Sequence, residues 1–151
     1  MTRDYVITAI IAGLVASPVS QAFTATMSSL GLSRVTCLLL AISLFGKATI
    51  AGPADLLLAW SSHIVISVIF ALGLVDLLAV TGSDYLLLKG AAYGGAVWFL
   101  AIALFLPALE VPIVERLDVA SDLSLLGHHL LWGMVVAWTA SSVNTRLLSR
   151  R

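Results

Sequence analysis

Between Leu56 and Val75 the chain runs for 20 residues without an Asp, Glu, Lys or Arg. A helix of that length rises about 30 Å, the thickness of a bilayer's hydrocarbon core. The run belongs to a span expected from about Ala54 to Val80. Three more apolar stretches are long enough to match it: Tyr5 to about Ser28, Tyr85 to about Leu106, and about Asp122 to Asn144. Charged residues make up 11% of the chain, against roughly a quarter in soluble domains. With 151 residues, the spans use up nearly everything, and no soluble catalytic domain fits beside them. The expectation is an all-α polytopic membrane helix bundle, one transmembrane domain over 1–151. No basic face is present for nucleic acid, and the bilayer itself is the first partner.

Val35 to Ile50 decides between four spans and five. It is short for a span, Lys47 interrupts it, and Gly52-Pro53 ends it. It reads as a short outer-side or re-entrant helix, which gives four spans. The opening stretch resembles a signal peptide in having Arg3, an apolar run and small residues near Ser20 to Ala22. Because the apolar run continues through Met27, it is read as an uncleaved first span. Cys37 is the only cysteine, so there is no internal disulfide and no thiolate-rich zinc site.

Lys and Arg near span ends set orientation. Arg146, Arg150 and Arg151 place the C-terminus in the cytoplasm and the acidic Glu110–Asp122 loop outside. Four spans then put Arg3 inside as well. Five spans would put the N-terminus outside and Arg34 inside.

Small residues at helical spacing mark packing faces. Ala9, Gly13, Ser17, Gln21 and Ala25 form one, with a kink expected at Pro18. His63, Ser67 and Ala71 form another; His129, Gly133, Ala137 and Ser141 a third. Gly90 and Gly94 make a GxxxG, the natural seam for a homo-oligomer or larger complex. Gly31 is an expected helix C-cap and Asp84 an expected N-cap. Trp60, Trp132 and Trp138 read as interfacial anchors and Trp98 as core. Lys89 is placed to snorkel to the cytoplasmic face, with a pair to Asp76 a lesser option.

Three polar residues share a depth. His63, His129 and Gln21 lie roughly 12, 10 and 10 Å inside the outer ends of their spans. Intramembrane polar groups usually face one another or water. A shared site is therefore expected, with His63 beside His129 and Gln21 next to them. His128 points about 100° away, toward a neighbouring groove or the headgroups. Three chemistries are open. The imidazoles fix helix register through hydrogen bonds, pass protons or a ligand, or bind haem b or a metal ion through His63 and His129. No span interior carries the carboxylates of a di-iron bundle, and no nucleophile elbow supports Ser–His–Asp catalysis.

From His63 to Arg146 the chain resembles the YagU-like small bacterial inner-membrane proteins and the similar YqhR-type proteins. The resemblance rests on His63-Ile64 with Ser67 and Phe70-Ala71, on Pro107 and Pro112, and on Ser124, Gly127, His129, Leu130 and Trp132. His129 matches the histidine of that pattern, leaving His128 as an additional one. The resemblance implies a four-span protein of the bacterial cytoplasmic membrane whose activity is unassigned. The expected function is non-enzymatic: a transport or permeation unit, or an accessory subunit. The competing class is a redox protein holding haem or a metal.

Overall fold

The computed structural model describes residues 3–111, 113 and 117–144. Pro112, Glu115, Arg116 and the three C-terminal arginines, on which the family resemblance and the orientation partly rest, lie outside them. The described residues form five helices and no strand. We label them α1 (Arg3–Ser29), α2 (Cys37–Ser43), α3 (Pro53–Thr81), α4 (Leu86–Ala108) and α5 (Val119–Val143). All but α2 are long and apolar enough to cross a membrane. The expected bundle of four such helices is what the chain forms.

Local chemistry accounts for most helix ends. Gly31, at φ 72°, closes α1: its N–H donates to the Ser28 carbonyl, and the Leu32 N–H donates to that of Met27. This is the paired bonding of a Schellman cap, and it needs the left-handed backbone that glycine adopts freely. Pro53 starts α3 in the first turn, where its missing N–H costs nothing. Asp118 caps α5 by accepting from the Ser121 N–H at 2.8 Å, so this helix begins at Val119, before the expected Asp122. Asp84 does not cap α4. The residue there is Tyr85, in a left-handed conformation with no side-chain cap. Lys89 donates instead to the Thr81 and Gly82 carbonyls, satisfying the end of α3 from the neighbouring helix. The described ion pairs are Lys47–Asp55 and Arg34–Asp118.

Two elements differ from expectation. The helix expected over 35–50 covers only Cys37–Ser43, at about 10 Å far too short to span. Thr36 caps its start, and Gly46 at φ 72° turns the chain soon after its end. In α4, residues Ala101–Phe105 wind as a π-helix before Leu106–Ala108 resumes. α1 passes through Pro18 without a break, with that proline exposed.

Close backbone approach organises the bundle. α5 packs along both α4 and α1, and α1 also packs along α3. A Cβ on Gly133 would stand 2.8 Å from the carbonyl carbon of Gly90, and one on Gly94 would stand 2.8 Å from that of His129. The GxxxG therefore closes the α4–α5 crossing within one chain and is not a free seam for a second copy. Gly13 lets α1 meet α3, where a Cβ would lie 2.8 Å from the Val68 Cα. The buried face of α1 is wider than one i, i+4 row: Ala12, Ala16 and Ser20 join it, while Ala25 has rotated out. At 3.6 residues per turn a strict four-residue row drifts off the interface.

Candidate functional site

α3 and α4 touch little along most of their length, which leaves a gap between them. α2 lies over one end of the gap, packing Leu38 and Ile42 against Ala59. The result is a cavity of about 350 Å³. Its walls are almost wholly apolar, with Ile66, Phe70, Val97, Ala101 and Phe105 among them. Ala101 and Phe105 belong to the π-helical segment, a distortion that often accompanies function. Cys37, His63, Ser67, His128, His129 and Trp132 are the lining residues whose side chains carry a heteroatom.

His63 and His128 meet at the head of this cavity. Their Nε2 atoms are 3.4 Å apart, and their rings pack edge to face with centroids 5.4 Å apart. His63 is 8% exposed and His128 3%, so neither imidazole can rely on solvent for a partner. Both are held from behind by α1. Ser17 Oγ lies 2.7 Å from His63 Nδ1, and the Ser20 carbonyl lies 2.9 Å from His128 Nδ1. Helix ends explain the shared depth. His63 is ten residues into α3, His128 nine into α5, and Ser20 nine from the end of α1, all about 14–15 Å in.

These partners fix the protons. A carbonyl only accepts, so His128 Nδ1 carries a hydrogen and its Nε2 is the acceptor in the neutral ring. His63 Nε2–H then faces that acceptor, and His63 Nδ1 accepts from the Ser17 hydroxyl. The chain of donors runs from Ser17 through both rings to Ser20, beginning and ending on α1.

A second polar link lies one turn further along. Trp132 Nε1 donates to Ser67 Oγ at 2.7 Å, and Ser67 Oγ donates to the Gly13 carbonyl at 2.9 Å. Trp132 is thus a buried junction of α1, α3 and α5, not the interfacial anchor expected. Trp60, half-buried, packs edge-on against His63, and Trp98 is half-buried. Trp138 is exposed.

The expected partner of His63 was His129, with His128 turned away; the structure exchanges them. His129 Nδ1 bonds the Leu125 carbonyl of its own helix at 2.8 Å, and its ring lies against that of His128. The Gly133 face does pack, but against the α4 backbone, and that contact leaves no room for an imidazole between the helices. His128, one residue round, faces α1 and α3. Gln21 is buried as expected but accepts from Thr24 of its own helix at 3.2 Å. Ser17, one turn earlier, takes the place beside His63.

The arrangement also speaks to haem. Two axial nitrogens about 2 Å from one iron would stand about 4 Å apart with the macrocycle between them. The His63 and His128 rings touch edge to face, with no space for a porphyrin between, and His129 is not opposite His63. Bis-histidine haem ligation does not fit.

Cys37 is the group that sequence reasoning left out. The first residue of α2, it is 4% exposed, and burial pushes its thiol pKa well above the usual range. Its Sγ and the ring nitrogens of His63 and His128 lie within 4.8 Å of one another. Nothing in the spacing of residues 37, 63 and 128 signals this meeting, which needs α2 folded over the bundle end. Searches against protein-family models, curated proteins and solved structures match none of them to this chain.

Proposed function

We propose that this is a non-enzymatic membrane protein that holds a small, mostly apolar molecule carrying one hydrogen-bonding group. The observation that supports this reading is the cavity itself. Its volume of about 350 Å³ is about twice that of an engineered apolar cavity that binds benzene. It is at the lower end of natural ligand pockets, which combine apolar walls with a few placed polar groups. The cavity matches that description, with the His63–His128 pair at its head. A ligand held there would sit within the bundle, as a permeation unit or an accessory subunit requires. The proposed setting is the bacterial cytoplasmic membrane, which the family resemblance implies, with both termini inside, as the Lys and Arg placement suggests. Reporter fusions that are active on one side only test this: either terminus found outside would overturn the orientation, and termini on opposite sides would overturn the four spans as well.

The binding reading is tested with a series of para-alkylphenols added to the purified protein in detergent. A fitting member raises the thermal unfolding midpoint, because it binds the folded state alone. Ala101→Phe, which fills the cavity, abolishes the rise, and Phe105→Ala, which enlarges it, moves the optimum to a longer alkyl chain. Midpoints that stay flat across the series, or a rise that survives Ala101→Phe, would overturn it.

A further inference from the structure

We propose that Cys37, His63 and His128 form a binding site for one transition-metal ion of the zinc class, at the head of the cavity. The proposal stands apart from the cavity reading, since it needs no organic ligand.

Three observations carry it. The first is the ligand set: two imidazoles and one thiol, from three helices, within 4.8 Å of one another. Nitrogen and sulfur together suit zinc and its borderline-soft neighbours. The second is the spacing of the two nitrogens. At 3.4 Å they make a long, weak hydrogen bond. Two nitrogens bound at about 2.0–2.1 Å to one tetrahedral ion stand about 3.4 Å apart. The third is the support behind the rings. Metal-bound histidines nearly always give their other N–H to a carbonyl, carboxylate or water. His128 Nδ1 already faces the Ser20 carbonyl, and His63 Nδ1 faces the Ser17 hydroxyl. Both rings are therefore held with Nε2 turned inward, as ligation through Nε2 requires.

Binding needs two proton movements. The His63 hydrogen shifts from Nε2 to Nδ1, and the Ser17 hydroxyl rotates from donor to acceptor. The Cys37 S–H bond breaks as the S–metal bond forms, and that proton goes to water. Uptake is consequently tighter at higher pH. With three protein ligands, the fourth position falls to water.

The test uses Co(II) alone, added to the full chain purified in detergent. Tetrahedral cobalt with a thiolate ligand gives strong visible bands and a near-ultraviolet sulfur-to-cobalt charge-transfer band. One cobalt per chain with both signatures is expected, and Zn(II) should displace it. Cys37→Ser, the mildest change in the set, should remove the charge-transfer band and weaken binding at least tenfold. His128→Gln should abolish the visible bands, and circular dichroism reports whether that variant keeps its helices. His129→Gln should keep both signatures. Absence of the charge-transfer band in the unmodified chain overturns the site. So does a charge-transfer band that persists in Cys37→Ser, or bands lost in His129→Gln while the fold is intact.

Discussion

At the scale of single residues, Ser17 and Ser20 look alike and act differently. Ser17 offers its side chain to His63, while Ser20 offers His128 only its carbonyl. The Ser20 hydroxyl turns back on its own helix, to the Ala16 and Ser17 carbonyls. Ser17→Ala leaves a buried ring nitrogen without its donor and should cost about 1–3 kcal/mol. Ser20→Ala keeps the carbonyl and should cost less than about 1 kcal/mol. Unfolding in mixed detergent micelles checks the pair; equal losses would remove the donor chain inferred here. Residue scale is also where the sequence was hardest to read. His63 and Ser67 lie on the buried face expected of them, because an i, i+4 pair on a long apolar helix has few alternatives. The choice between His128 and His129 turned on about 100° of rotation. The Gly133 row invited His129 into the interface. A glycine face, however, admits backbone and not an imidazole. The Ser124, His128 and Trp132 row, polar or amphipathic at each turn, was the signal to weigh against it.

At the scale of elements, α5 is fixed at two points, the Gly133 crossing that its sequence advertises and the Asp118 cap that it does not. Gly133→Leu would drive a side chain into the Gly90 backbone, where a bare Cβ already stands 2.8 Å from the carbonyl carbon. Overpacking of this kind costs about 1–3 kcal/mol or more, and backbone cannot rotate away as a side chain can. Leu131→Ala, at a half-buried position, should be milder. Yield of monodisperse protein ranks the two, and similar yields would mean the α4–α5 crossing is misplaced. The start of α5 should respond to pH. Hydrogen bonds from Ser121 hold the Asp118 carboxyl below the usual carboxylate range, helped by the charge of Arg34. A pKa lowered by folding means the cap stabilises fully above the unfolded value, about 3.9, and is lost as pH falls through the folded one. The unfolding midpoint should drop below about pH 4. Asp118→Asn should flatten that drop, and a drop of unchanged size would put its origin elsewhere. The four long helices were legible because apolar length alone specifies them. α2 was not legible beyond its location: its seven residues are set by Thr36, by the turn at Gly46 and by packing on Ala59, and only the first two are local.

At the scale of the whole molecule, the bundle is centred on α1 and α5, the first and last of the described helices. α3 and α4 pack on that pair and leave the cavity between themselves. This division was not legible in the sequence, because apolar length marks each span but does not say which helices pack together. The order of synthesis adds a consequence. α1 enters the membrane before α3 and α5, with Ser17, Ser20, Gln21 and Thr24 on one face. His63 follows and finds Ser17, but its second nitrogen has no partner until His128 arrives, 65 residues later. Until α5 is made, then, a nascent chain carries a half-satisfied polar stripe in lipid, where such groups are costly. Quality control in the membrane would see that stripe on any product that stops early. A chain ending at Val111 should be degraded, and supplying 112–151 as a separate polypeptide should restore its accumulation. Equal half-lives with and without the second piece, followed by pulse-chase labelling, would show that α5 is not what completes the fold. α5 would thus act as the signal that the polar junction is complete, a role that follows from dividing one junction among helices made far apart in time.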